Sequence, residues 1–343
     1  MSVTSAVVVD DSAFMRQLIT RTLEDGGVSV AGTAGDGAEA LEAIKQHEPD
    51  VVTMDVEMPR MDGLEAVGRI MTEQPTPTLM LSAYTDDTAD VSLEALDKGA
   101  VDVYHKPGGE VSTAISGERE TLVRKVQSVA EANVARFDPA DRPQVEPTQI
   151  QLDQPRTIVI GASTGGPRVV KSILSALPLA DCRVLIVQHM PSGFTSRFAD
   201  RLDEASRYDV VEADGPTQLD EGMAAVAPGD HNLIVDTYRR GRLTLDIEEP
   251  SPDDGFVPSV DVTMHSTAAS VDDPLVGVVL SGMGDDGVQG LTAIGDAGGL
   301  RIAQAEADCA VFGMPRRAIE AGEVDIVSDV RDVPSMVMEA VEQ

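Results

Sequence analysis

Five short apolar runs, AVVVDD, VSVAG, VVTMDVEMP, TLMLSA and VDVYHKP, recur between residues 6 and 107, with helical stretches between and after them. Phe14, Leu18 and Leu23 in FMRQLITRTL predict the apolar face of the first helix, and AEALEAIKQ predicts the second. Strands that alternate with helices imply a doubly wound parallel sheet, an α/β fold of five strands. Ligands of such sheets bind beyond the carboxyl ends of the strands.

Those ends carry the chemistry. Asp10 and Asp11 close the first run, Asp55 the third, Ser82 the fourth and Lys106 the fifth. Like carboxylates repel, so three at one edge call for a divalent cation, and oxygen-only ligands suit Mg²⁺. Ser82 and Lys106 then stand as partners for a phosphoryl group added to Asp55. Helix capping would account for one or two of these positions, but poorly for five residues at four strand ends together. With its motifs VDDS, MDVEMPRMDG, SA (Ser82, Ala83) and KP (Lys106, Pro107), the segment over residues 3–125 resembles a response-regulator receiver domain. The resemblance implies that Asp55 accepts phosphate from a histidine kinase. Asp11, Asp55 and the main-chain carbonyl of Glu57 would bind Mg²⁺, with Asp10 acting through water. Receivers usually carry a switch aromatic three residues before the lysine; here that residue is Val103, and Tyr104 beside it faces the other way along a strand.

A length of 343 residues suggests two domains. Residues 136–156 hold four prolines among charges and break every hydrophobic period, which reads as a semi-extended linker. The expected division is a receiver at 1–125, a helical extension and linker at 126–155, and a second α/β domain at 156–343, Rossmann-like with a mostly parallel sheet.

That second domain opens on RTIVIGASTGGPRVVKSILSAL, a strand, a turn of small residues and a helix. Gly161, Ser163 and Gly165 fit a nucleophile elbow, but the turn also resembles a dinucleotide loop. The dinucleotide reading needs an acid about 20 residues on to hold the ribose. The next strand, CRVLIVQHMP, ends in Gln188 and His189 instead. A phosphate loop fails as well, because Pro167 stands where a lysine is needed. A serine and a histidine therefore fall at neighbouring strand ends, as a nucleophile and its base require. A later strand, LVGVVLS, enters the turn GMGDDG, where Asp285 or Asp286 would orient the histidine and main-chain N–H groups would serve an oxyanion. Of the other histidines, His47 and His105 read as incidental, His231 as structural or substrate-positioning, and His265 as packing.

The motifs GASTGGP, QHMPSGFTSRFADRL, APGDHNL, PSVDVTMHS and SGMGDDG, spread over residues 155–340, resemble the catalytic domain of the chemotaxis receptor methylesterases, the CheB family. The resemblance implies Ser163 as nucleophile, His189 as general base, Asp286 as its orienting carboxylate and the Met283 N–H as an oxyanion donor. It implies glutamate γ-methyl esters of methyl-accepting chemotaxis receptors as substrate, with glutamine deamidation at the same site and no cofactor there. The basic residue often found before PSVD in that family is here Val257. An unphosphorylated receiver lying over the Ser163 cleft would block a receptor helix, and phosphorylation would release it.

The formal charge of −33 opposes nucleic acid as a partner. Only 5 of 26 basic residues are Lys, and an acid-rich, lysine-poor surface suits concentrated salt. With no Trp and 3% aromatics, the core must come from Val, Leu, Ile, Ala and Met, and Cys182 and Cys309 read as small buried residues. No basic-then-apolar leader and no run of about 18 apolar residues is present, so a cytoplasmic protein without membrane insertion is expected. The rival readings are a receiver with a non-catalytic, partner-binding second domain and a nicotinamide-dependent oxidoreductase, the latter opposed by the missing ribose acid.

Overall fold

The computed structural model describes residues 3–82, 86–106, 115–134, 152, 154–251 and 255–339. Ala83, Pro107 and most of the expected linker lie outside the described residues. The chain forms two compact units, Met1–Phe137 and Asp138–Gln343.

The first unit runs β1 (Ser5–Val9), α1 (Ala13–Asp25), β2 (Ser29–Ala34), α2 (Gly37–His47), β3 (Val51–Asp55), α3 (Gly63–Glu73), β4 (Thr78–Ser82), α4 (Asp86–Asp97), β5 (Asp102–His105) and α5 (Ile115–Ala130). Its sheet is parallel throughout, in the order β2-β1-β3-β4-β5. Strands β1, β3 and β4 are buried almost end to end, as unbroken apolar runs require. Three helices start where a side-chain oxygen can take a free N–H: Ser12 caps α1, Asp36 caps α2 and Asp62 caps α3. The expected face of α1 is corrected in one place. The helix buries Ile19, Thr22 and Leu23, while Phe14 is 72% exposed. Phe14 sits in the first turn, whereas the buried positions all fall in the second half of the helix.

The second unit runs β6 (Arg156–Ala162), α6 (Gly166–Ala176), β7 (Cys182–Gln188), α7 (Phe194–Ala205), β8 (Asp209–Glu212), β9 (Thr217–Leu219), β10 (Met223–Val226), β11 (Asn232–Arg239), β12 (Arg242–Glu248), α8 (Val260–Ser270), β13 (Leu275–Val279), α9 (Val288–Asp296), β14 (Leu300–Gln304), α10 (Met314–Ala321), β15 (Ile326–Ser328) and α11 (Val333–Glu339). Seven strands form a parallel sheet in the order β15-β14-β13-β6-β7-β10-β8. A separate antiparallel sheet, β11-β12-β9, adds to the expected architecture. Its hairpin turns through Arg240 and Gly241, both at positive φ, the geometry that a two-residue hairpin loop demands. The core is aliphatic, centred on residues such as Val159, Leu185, Leu219, Leu245, Val279 and Met264. Cys182 and Cys309 are buried free thiols. Among the described residues no helix is long and apolar enough to cross a membrane.

Strand order places the chemistry. Strand β6 lies between β13 and β7, so the segments that follow these three strands leave the sheet side by side at its carboxyl edge.

Candidate functional site

Ser163 directly follows β6, in the tight turn that starts α6. Its N–H donates to Ser281 O at 3.0 Å, and its carbonyl accepts from Gly166 N at 2.8 Å and from Gln188 Nε2 at 2.9 Å. Gly165 makes the turn at φ +79°. At Gly166 the demand is steric: a Cβ there would lie 2.5 Å from Gln188 Oε1 and 2.7 Å from Ala162 Cβ. Gly166→Ala should therefore destabilise the fold by about 1–3 kcal/mol through overpacking. A urea midpoint equal to that of the unmutated protein would refute this steric account.

His189 follows β7, and its N–H donates to Ala162 O at 2.9 Å, which ties the histidine to the end of the serine strand. Its Nε2 lies 2.8 Å from Asp286 Oδ2. The Phe256 ring stacks on the imidazole at 4.8 Å between centroids and 10° between planes. Asp286 also accepts from Val260 N at 2.8 Å, Asp261 N at 2.9 Å and Ser259 Oγ at 3.1 Å. Burial alone would raise its carboxyl, but the bond from His189 and the two main-chain donors outweigh burial and hold it below the usual carboxylate range. A carboxylate so committed can only accept, so Nε2 is the donor of this pair, and in a neutral imidazole the free lone pair then falls on Nδ1. That Nδ1 is buried and has no hydrogen-bond partner. Among the described residues the Ser163 hydroxyl makes no hydrogen bond either, so a proton acceptor and a potential donor stand uncommitted at adjacent strand ends.

The two candidate acids part clearly. Asp286 is buried against His189, whereas Asp285 is exposed. Gly282 touches the serine, since a Cβ on it would lie 2.7 Å from Ser163 Cβ. Met283 follows at once, and its N–H donates to no acceptor among the described residues. His231 is half-buried, 3.3 Å from Glu249 Oε1. His265, expected to pack, is instead exposed on α8, its ring 2.8 Å from Asp261 O. The donors around Asp286 were not anticipated. Their one sequence signal was PSVD, with Ser259 as the cap of α8.

In the first unit the strand-end groups also converge. Carboxylate oxygens of Asp10, Asp11 and Asp55 all lie within 4.8 Å of one another. Lys106 Nζ stands 2.8 Å from Asp10 and 2.6 Å from Asp55. Burial pushes Asp55 above its usual range, with Lys106 pulling the other way. Burial works against the Lys106 charge, but its two carboxylate partners outweigh it and hold the ammonium above its ordinary value. Ser82 is fully buried at the end of β4, and its carbonyl accepts from Lys106 N at 2.8 Å. Asp11, Asp55, Glu57 and Lys106 line a cavity of about 520 Å³. An all-oxygen set beside a single ammonium fits a hard divalent cation such as Mg²⁺.

Residues 158–337 match the CheB methylesterase family, and residues 6–114 match the response regulator receiver domain. The chain is 52% identical over 344 residues to a protein-glutamate methylesterase/protein-glutamine glutaminase of Halobacterium salinarum, across 98% of this chain and 99% of that one. A protein of the same description from Enterobacter cloacae is 39% identical over 339 residues, across 98% and 97%. The crystal structure of the Thermotoga maritima CheB methylesterase catalytic domain is similar at a TM-score of 0.51 and 36% identity, covering 54% of this chain and 98% of that one.

Proposed function

The chain belongs to the CheB methylesterase family and carries a receiver domain ahead of its catalytic one, and on that premise we propose that it is the hydrolase of sensory adaptation, removing methyl groups from glutamate γ-methyl esters of chemotaxis receptors. The observation that carries this reading is the orientation of His189: Asp286 holds Nε2, and the buried Nδ1 is left without a partner at the strand end beside Ser163.

Ser163 Oγ attacks the γ-carbonyl carbon as its proton passes to His189 Nδ1. The positive imidazole that results is stabilised by Asp286 across the Nε2–H bond. The oxygen of the tetrahedral intermediate takes a hydrogen bond from the Met283 N–H. Collapse expels methanol, protonated by His189, and leaves a γ-glutamyl ester on Ser163. Water, deprotonated by the same nitrogen, releases glutamate and restores the serine. With a glutamine substrate the leaving group is ammonia, and the rest is unchanged. Ammonia released from receptors with glutamine at the modification sites would test that arm.

The receiver sets the rate. A histidine kinase supplies phosphate to Asp55, and Lys106 and Ser82 contact the phosphoryl oxygens. Asp10, Asp11, Asp55 and the Glu57 carbonyl would hold Mg²⁺, and a bound cation would offset the negative charge of the carboxylates and the phosphoryl group. Phosphorylation adds charge and acceptors beside Lys106 and relieves the receiver's restraint on catalysis without an aromatic at position 103. A small phosphodonor with Mg²⁺ should therefore raise methanol release, and Asp55→Ala should lose that rise. An equal rise in the variant would remove Asp55 from the pathway.

The reading places the enzyme in the cytoplasm, at high salt. Its net charge of −33 and the likeness to the Halobacterium salinarum protein support that setting. Salt screens the mutual repulsion of the acids, so dialysis into dilute buffer should unfold the chain. A far-ultraviolet circular dichroism spectrum unchanged by dialysis would contradict this.

A further inference from the structure

Helices α8 and α9 exchange carboxylates at their amino ends. The first N–H groups of a helix lack partners within it, and the positive end of the helix dipole favours an acid there. Asp286, just before α9, serves α8: it accepts from Val260 N, Asp261 N and the hydroxyl of the cap residue Ser259. Asp261, in the first turn of α8, serves α9: its Oδ1 accepts from Gly287 N at 2.9 Å and Gly290 N at 2.6 Å. The cap of α9 is Gly287, which has no side chain to do this itself.

We propose that Asp261 is a positioning residue for the esterase reaction. By pinning the start of α9 it fixes the turn that carries Asp286, and so holds that carboxylate on His189 Nε2. Asp261 acts through the main chain of Gly287 and Gly290 and touches neither Ser163 nor His189. The inference rests on the catalytic reading of Ser163, His189 and Asp286, but its structural half is separable from it.

The charges around the pair agree with this division of labour. Burial, helped by Asp286, pushes the Asp261 carboxyl up, against the Gly290 and Gly287 N–H groups and His265, while Asp286 is held down. Asp286 is therefore the acid held ionised beside His189, by the ring and the main-chain donors it accepts from. The exchange also accounts for the serine and the aspartate of the PSVD motif, with the valine between them contributing only its main-chain N–H. Ser259 and the N–H of Val260 bind Asp286, and Asp261 binds it through its N–H while capping α9 through its side chain.

The test compares Asp261→Ala and Asp261→Asn with the unmutated chain in concentrated salt. Turnover is read as methanol release, and the His189 imidazole is titrated by nuclear magnetic resonance, with circular dichroism as the check on folding. Asp261→Ala removes the one oxygen that accepts both bonds. It should lower kcat by about 10–100-fold with KM within about twofold, since a misplacement of about 1 Å can cost that much. The His189 midpoint and the acid limb of kcat/KM should both move to lower pH, because a loosened Asp286 stabilises the imidazolium less. Asp261→Asn keeps an oxygen for both N–H groups and should lie between, with kcat within about fivefold of the unmutated chain and a smaller shift of the same sign. If the alanine variant does not fold, kcat of the asparagine variant decides: a fall upholds the proposal and an unchanged value overturns it, whereas the pH shift alone does not, because either substitution also removes the Asp261 charge. An unchanged His189 midpoint in the folded variants, with unchanged kcat, overturns the proposal. A larger midpoint shift in Asp261→Ala than in Asp261→Asn, in a protein that releases no methanol, upholds the positioning and overturns the esterase reading instead.

Discussion

Ser163→Ala should lower methanol release by about 10⁴-fold or more while leaving the fold intact. The size follows from the chemistry. Without Oγ no acyl intermediate forms, and only oxyanion stabilisation and substrate binding remain. The intact fold follows from the structure. The hydroxyl makes no hydrogen bond among the described residues, so its loss orphans no buried partner. The turn itself is held through the Ser163 main chain, by Ser281, Gly166 and Gln188, and these bonds survive. Activity and thermal midpoint should be measured on one preparation. Loss of both would report a structural serine, and retention of turnover within about tenfold would remove Ser163 from the reaction.

The second large effect separates two adjacent acids. Asp286→Asn should lower kcat by about 10⁴-fold, because an amide facing Nε2 no longer selects the tautomer with Nδ1 free. The same change sets an NH₂ among the donors of Val260, Asp261 and Ser259, so some stability is lost with it. Asp285→Ala should keep kcat within about twofold, since that side chain is exposed. Steady-state turnover of both variants decides the matter. A dead Asp285→Ala beside an active Asp286→Asn would reverse the assignment.

Much of this was legible in the residues. Unbroken apolar runs placed the strands, and the rule that ligands gather at carboxyl ends brought Asp10, Asp11, Asp55, Ser82 and Lys106 to one edge. The same rule set Ser163 beside His189. Periodicity could not choose between Asp285 and Asp286, because the choice depends on which way a glycine-rich turn presents each side chain. Nor could it find the carboxylate exchange, which joins residues 259–261 to residues 286–290 through main-chain N–H groups that look alike in any sequence. Phe14 and His265 were misjudged for a related reason. A helical repeat marks a face but does not say how much of the helix is covered: α1 buries only Ile19, Thr22 and Leu23, and α8 buries Val260, Thr263, Met264 and Thr267 while His265 faces away. The antiparallel sheet was signalled by the alternation in β12, RLTLDIE, after an Arg-Gly turn, a cue overshadowed by the parallel strands on either side.

The most direct test of the central claim is methanol release from methylated chemoreceptor membranes in concentrated salt, by the full chain, with and without a small phosphodonor and Mg²⁺. The account predicts release without the donor, faster release with it, and none by Ser163→Ala under either condition. No release by the unmutated chain, or equal release by the Ser163→Ala variant, would contradict it.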